Sequence, residues 1–144
     1  MNLYEVVNEF AEHLNMQPYS GGKRIQISND INPGLGIVNG EHILHQLLTN
    51  LSSWAEPEEA CYIEVNAKLF NKLALVQLKT NIQFDYGVAE PSFRRINEMA
   101  GKLGGCLYIS SDRPDEHTIS YTCLNGADDE GISFANLTNI NRIH

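Results

Sequence analysis

Apolar residues recur at helical spacing in three separate segments of this chain, and short alternating runs lie between those segments. The first segment predicts an amphipathic helix, because its apolar residues fall on one helix face: Leu3, Val6, Val7, Phe10 and Leu14. Pro18, Gly21 and Gly22 are expected to end this helix. The pattern as a whole predicts a fold that combines helices with strands.

Two further helices are bounded by proline and glycine. The second is predicted to begin near Gly40 and to stop before Pro57. The third is predicted to begin at Pro91 after an irregular stretch from residue 80, and the pair Gly104 and Gly105 is expected to form its C-cap.

Five short runs have the composition of β-strands: residues 24–28, 61–67, 73–78, 106–110 and 118–124. Asn71 and Lys72 form a turn signal between the second and third runs, which predicts an antiparallel hairpin. The third run is almost wholly apolar and predicts a central strand that is buried on more than one side. Residues 112–117 are expected to form a solvated loop between the last two strands.

The predicted order is α-β-α-β-β-α-β-β. It indicates an α+β two-layer sandwich, with three helices on one face of a mixed sheet of about five strands. Residues 1–124 form the predicted domain, and the acidic residues 125–144 are expected to be a linker or tail.

Composition excludes some classes of partner. The chain has 144 residues, 42% of them hydrophobic, which suits one globular domain. Its 10 Lys and Arg against 18 Asp and Glu give a net charge of -8, which argues against nucleic acid and against direct membrane contact. Neither a transmembrane run nor a signal peptide is visible. Cys61, Cys106 and Cys123 are widely spaced and are expected to be inert thiols in a reducing compartment.

Several strings resemble the ATP-binding domain of sensor histidine kinases, which has the GHKL or Bergerat fold. Residues 2–7 (NLYEVV) resemble its opening, and residues 40–51 (GEHILHQLLTNL) resemble its N-box helix. Residues 103–111 (LGGCLYISS) resemble the Gly-Gly, strand and Ser after its last helix, and residues 118–122 resemble its terminal strand. The resemblance therefore covers residue 2 to about residue 124, and the fold that it implies agrees with the predicted element order.

The N-box departs from the family pattern at the metal position. Asn50 stands at the first N-box Asn, but Trp54 stands where the family holds Mg²⁺ with Asn. An indole offers an N–H donor and no lone pair for a hard cation. The resemblance therefore implies that Mg²⁺ is not held here in the family's way.

The other two parts of the family's nucleotide site depart as well. The Asp-x-Gly-x-Gly expected after the central strand is approached only by residues 85–87, which come several positions late and lack the second Gly. About a dozen residues, with Gly87 alone among the glycines, replace the family's long glycine-containing lid. These departures predict a vestigial pocket without cofactor, metal or catalytic residue, at Asn50, Trp54, Phe84, Asp85 and Tyr86.

The aromatic residues of that pocket have several interpretations. Phe84 and Tyr86 are expected to lie near Trp54 and to form an aromatic patch where a nucleotide would bind. Trp54 itself is interpreted as a plug of the pocket, as a half-buried cap of its helix, or as an anchor for a protein partner.

Histidines supply the other candidate chemistry. His42 and His45 lie at i, i+3 and offer two ligands to a metal, but a third must come from elsewhere, so exposed helix histidines are expected. His13 and His117 are isolated in the sequence, and no functional role is expected for them either.

The resemblance with its departures predicts a non-catalytic histidine-kinase-like domain that acts as an interaction scaffold in a two-component phosphorelay. The partners it implies are other domains of the same phosphorelay protein, a response regulator or a kinase. The implied location is the cytoplasm, including the cytoplasmic part of an inner-membrane protein.

Two alternatives stay open from the residues alone. The first is an active ATP- and Mg²⁺-binding domain that uses Glu41, Asn50 and Asp85 as unusual ligands. The second is an unrelated small α/β adaptor in which the family-like strings are coincidental.

Overall fold

The computed structural model describes residues 2–16, 24–37 and 39–125. It contains three helices and five strands, in the predicted order. Their bounds are α1 Leu3–Met16, β1 Arg24–Asn29, α2 Glu41–Trp54, β2 Ala60–Phe70, β3 Leu73–Thr80, α3 Tyr86–Lys102, β4 Leu107–Arg113 and β5 Glu116–Leu124. The predicted tail, and the Pro and Gly residues expected to end the first helix, lie outside the described residues apart from Asn125.

The strands form one mixed sheet in the order β1-β2-β3-β5-β4. β1 pairs with β2 in parallel, and every other neighbouring pair is antiparallel. One face of the sheet packs against the helices, so the predicted α+β two-layer sandwich is confirmed.

β3 lies in the middle of the sheet, as predicted, but full burial is limited to alternate residues. Ala74, Val76 and Leu78 are fully buried towards the helices, whereas Leu75 and Gln77 are half-buried. The expectation of burial on both sides was wrong, because α1, α2 and α3 all cover the same face and leave the other partly open.

Both antiparallel hairpins turn tightly. Phe70 pairs with Leu73, and Asn71 takes the left-handed conformation (φ 59) that a two-residue turn requires, so the predicted hairpin is confirmed. In the second hairpin Arg113 pairs with Glu116. The predicted loop over residues 112–117 was therefore too long, because strand pairing continues up to a two-residue turn.

α3 begins at Tyr86, several residues before the predicted start at Pro91. The Asp85 carboxylate accepts a hydrogen bond from the Gly87 N–H at 2.8 Å and forms the N-cap. Pro91 lies inside the helix and removes one backbone donor. The predicted start at Pro91 was therefore wrong, because the Asp85 cap begins the helix earlier.

The predicted Gly-Gly C-cap of α3 is confirmed. The Gly104 and Gly105 N–H groups donate to the carbonyls of Gly101 (3.1 Å) and Ala100 (2.9 Å), which is the Schellman arrangement. Gly104 has a left-handed backbone (φ 81). At Gly105 a Cβ would lie 1.8 Å from the Thr122 carbonyl oxygen, so only glycine lets the chain pass this close to β5.

Candidate functional site

An aromatic cluster forms where the end of α2 meets the segment after β3 and the start of α3. Trp54 is the last residue of α2, and its ring centroid lies 5.4 Å from that of Phe84 and 5.4 Å from that of Phe93. Phe93 is buried on α3, and Trp54 is half-buried. The structure therefore brings Trp54 and Phe84 together.

Phe84 is the centre of this cluster. Its ring centroid lies 5.3 Å from Phe93, 5.5 Å from Tyr86 and 4.7 Å from the imidazole of His117. Three of the pairs have edge-to-face geometry, Trp54–Phe93, Phe84–Phe93 and Phe84–Tyr86, which is the favoured arrangement for aromatic rings. Tyr86 is 52% exposed and forms the rim of the cluster.

The segment that carries Phe84 is fastened to β2 by side chains. The Asn81 amide accepts a hydrogen bond from the Tyr62 N–H at 2.8 Å and donates to the Ala60 carbonyl at 3.0 Å. The Thr80 hydroxyl donates to the Tyr62 carbonyl at 2.7 Å and accepts from the Ile82 N–H at 3.0 Å. Residues 81–85 are thus held in one conformation without regular secondary structure of their own.

His117 joins the same segment to the β4–β5 hairpin. Its Nε2 lies 3.1 Å from Gln83 Oε1, and its Nδ1 lies 2.7 Å from the Ser111 hydroxyl. The Gln83 Nε2 donates to the Asn81 carbonyl, which leaves Oε1 to accept from the imidazole. The ring is therefore assigned the tautomer with the proton on Nε2, and Ser111 donates to Nδ1.

Burial favours the neutral form of this imidazole. His117 is only 7% exposed, and desolvation by burial lowers its pKa from the ordinary value of 6.5. A serine bonded to a neutral imidazole is the starting point of nucleophilic catalysis. Here the second bond of the ring goes to a carboxamide, which carries no charge to stabilise an imidazolium, so the arrangement favours a structural clamp.

The proposed substitute ligands for a metal are not brought together. Glu41 begins α2 and Asn50 lies near its other end, so the two residues are about 13.5 Å apart along the helix axis. The Asp85 carboxylate is exposed and caps α3. Within residues 2–16, 24–37 and 39–125, no three or more His, Cys, Asp or Glu side chains are grouped to hold a metal ion.

The other candidate side chains have ordinary structural settings. His42 and His45 are exposed on α2. Cys61 and Cys123 are buried, Cys106 is half-buried, and none of them forms a disulfide in the described part of the chain. Burial raises the pKa of Cys61, and it raises the pKa of Cys123 to about 11, so both thiols are poor nucleophiles at neutral pH.

Sequence reasoning missed two members of the cluster. Phe93 is not part of the predicted pocket, and His117 is isolated in the sequence. The sequence contained a signal for His117, because residues two apart in a strand share a face and His117 shares its face with Ile119 and Tyr121. Both of these residues are buried in the core.

A five-stranded mixed sheet in this order beneath three helices is the GHKL fold of histidine-kinase ATP-binding domains. The catalytic domain of histidine kinase ThkA matches with a TM-score of 0.61 and 14% identity, over 87% of this chain and 93% of that one. A mycobacterial sensor histidine kinase, MprB, matches with a TM-score of 0.55 and 12% identity, over 87% and 97%. The Acinetobacter baumannii histidine kinase AdeS matches with a TM-score of 0.61 and 8% identity, over 85% and 64%.

These likenesses establish the fold. No family model matches the sequence, and no curated protein matches it. The alternative of an unrelated α/β fold is wrong, because the match to histidine-kinase domains spans most of the chain. Among the described residues, no helix has both the length and the apolar character needed to cross a bilayer.

Proposed function

We propose that this domain is a non-catalytic relative of histidine-kinase ATP-binding domains and serves as an interaction scaffold in a cytoplasmic two-component phosphorelay. The observation that carries the proposal is the aromatic cluster of Trp54, Phe84 and Phe93. It fills the space between the end of α2 and the segment after β3. In the resembled family these two elements supply the metal ligand and the adenine contact.

The residues after β3 add a second argument. The family's Asp-x-Gly-x-Gly pattern follows the central strand, so we align its first residue with Thr80, the last residue of β3. Ile82 and Phe84 then fall at its two Gly positions. Thr80 is buried and bonded to Tyr62, and Ile82 is 1% exposed in the core. No carboxylate is left to accept from an adenine amino group, and two side chains replace the glycines that allow a base to approach.

The length of the lid adds a third argument. Only residues 81–85 separate β3 from α3, fewer than the dozen expected from the sequence. These residues are fastened to β2 and to His117, and none of them is glycine. A phosphate nest of successive backbone N–H groups has no place to form in so short a connection.

Loss of a nucleotide site leaves the outer surfaces intact, since docking depends on the shape and charge of a face and not on Mg²⁺. The partners proposed are the other domains of the same phosphorelay protein, a response regulator or a kinase.

Calorimetric titration of the chain with ATP and Mg²⁺ tests the central claim. We expect no saturable heat at millimolar nucleotide, whereas an active histidine-kinase domain titrated alongside gives a binding curve. Saturable binding in the micromolar range would instead favour the alternative of an active domain with unusual ligands.

A further inference from the structure

An open groove of about 530 Å³ runs between α1 and α2, away from the aromatic cluster. One wall comes from Val6, Glu9, Phe10 and Leu14 of α1, and the other includes His45 and Thr49 of α2. Both helices belong to the layer that covers the sheet, so the groove opens on the outer side of that layer.

The α1 wall of the groove is an apolar row. Val6, Phe10 and Leu14 follow one another at four-residue spacing, so they form a stripe about 12 Å long on one side of α1. Val6 is buried, while Phe10 and Leu14 are half-buried. The ring centroids of Phe10 and His45 lie 5.9 Å apart in edge-to-face geometry, so the two walls of the groove are in contact there. A trough between two helices with such a row accepts the ridge of a third helix.

The formal charges of the two helices have one sign, and His13, His42 and His45 also line the groove. α1 and α2 together carry four glutamates and no Lys or Arg. Glu9 and Glu41 line the groove itself. All 10 Lys and Arg residues of the chain lie outside these two helices. An occupant with cationic residues beside an apolar stripe complements this face, and an acidic occupant is repelled.

We propose that the α1–α2 groove is the docking site for a basic amphipathic helix of a partner protein. The apolar stripe of that helix packs on Phe10 and Leu14, and its flanking Lys or Arg side chains pair with Glu9 and Glu41. The inference deepens the interaction role proposed above, on which it rests, but it does not require that the nucleotide site be lost.

Three other occupants fit the charge less well. Residues 126–144 of this chain carry Asp128, Asp129 and Glu130 against a single Arg142, so they have the same sign as the groove. A second copy of the chain brings a net charge of -8. An anionic membrane surface is repelled for the same reason.

The test uses the full chain and a designed fluorescent peptide of about 18 residues, or five helical turns. The peptide places Leu on one face and Lys on both flanks, and a scrambled peptide of the same composition serves as its control. We expect the amphipathic peptide to bind at least about tenfold more tightly by fluorescence anisotropy, because only it presents an apolar stripe. Amide shifts in NMR spectra are expected to map to α1 and α2.

Matched double variants separate the groove from general charge attraction. Glu9→Gln with Glu41→Gln is expected to weaken binding about three- to tenfold, as the loss of two rim ion pairs implies. Glu64→Gln with Glu98→Gln removes the same charge from exposed positions on β2 and α3, and it is expected to change the dissociation constant less than about twofold. Leu14→Asp is expected to abolish the preference for the amphipathic peptide.

Several results would overturn the docking proposal. Equal losses in both double variants, or amide shifts on α3 or the sheet, would mean non-specific attraction. Tighter peptide binding after Phe134→Ser with Leu137→Ser would identify the chain's own C-terminal segment as the occupant. A dimer that the peptide dissociates would identify a second copy. None of these results alters the ATP titration, so the two proposals fail separately.

Discussion

His117 shows how one buried polar side chain organises its neighbourhood. Its ring centroid lies 4.7 Å from that of Phe84, with the rings tilted by 41°, and it bonds both Gln83 and Ser111, so it links the segment after β3 to the last hairpin. The neutral form satisfies both ring nitrogens, whereas protonation makes both of them donors and requires the Ser111 hydroxyl to turn and accept. Burial also disfavours the charged form. Protonation therefore opposes the folded structure.

The pKa of His117 predicts how stability depends on pH. The folded pKa lies below the unfolded value of 6.5, so the unfolded chain takes up a proton first as the pH falls. The contribution of His117 to the free energy of unfolding is fully present above about pH 6.5, and it is lost as the pH falls from there towards the folded pKa. We expect the free energy of unfolding, measured with urea, to decrease between about pH 8 and about pH 5.5.

A His117→Gln variant is expected to show a smaller decrease over the same range, while the exposed His13→Gln serves as the matched control. If both variants kept the full decrease, the titration would belong to other groups.

At the scale of residues, the sequence allowed some of the cluster to be predicted. Phe84 and Tyr86 were expected to lie near Trp54, and the ring centroids lie 5.4 Å apart for Trp54–Phe84 and 5.5 Å apart for Phe84–Tyr86. Phe93 and His117 joined them only in the folded chain, because their approach depends on how α3 and β5 pack across the sheet. Sequence spacing carries no information about that approach.

At the scale of elements, local signals were reliable where one physical cause dominates. The Asn71 turn and the Gly104–Gly105 cap were both predictable, because a left-handed backbone strongly favours these residue types. The start of α3 was not, since Asp85 and Pro91 are both good start signals. Burial of Ala89, two residues before the predicted start, favours the longer helix.

The Asp85 cap at the start of α3 is expected to contribute measurably to stability. Asp85→Ala removes the acceptor for the Gly87 N–H and is expected to lower the free energy of unfolding by about 1 kcal/mol. Asp115→Ala, in the exposed turn before β5, removes a carboxylate without removing a cap and is expected to cost less than about 0.5 kcal/mol. Urea unfolding measures both, and equal losses would show that Asp85 contributes only charge.

At the scale of the whole molecule, the fold and the proposed loss of chemistry rest on different residues. The sandwich depends on buried stripes such as those of α2 and β3, which the chain retains. The nucleotide site of the family depends instead on a few polar residues and glycines, and a chain can lose these while other side chains, such as Ile82 here, fill the core. The likeness in fold therefore carries no argument for activity, which has to be tested at the rim.

One substitution tests the proposed loss of the nucleotide site. Trp54→Asn places an amide at the position where the resemblance implies the family's Mg²⁺ ligand, but Ile82 remains in the core and residues 81–85 remain too short to cover phosphates. We therefore expect no rise in melting temperature with millimolar ATP and Mg²⁺, in the variant or in the unchanged chain. The variant itself is expected to lose about 2–4 kcal/mol, because the contacts of Trp54 with Phe84 and Phe93 disappear.

Circular dichroism follows these melts, since the variant removes the single tryptophan of the chain. Trp54→Phe is the matched control, because it keeps an aromatic ring in the cluster and offers no ligand to a metal. A nucleotide-dependent rise in the melting temperature of Trp54→Asn that Trp54→Phe does not show would mean that one side chain alone keeps ATP out. In that case the residues around Asn50 and Phe84 still form a working pocket, and the scaffold would be one substitution away from binding nucleotide.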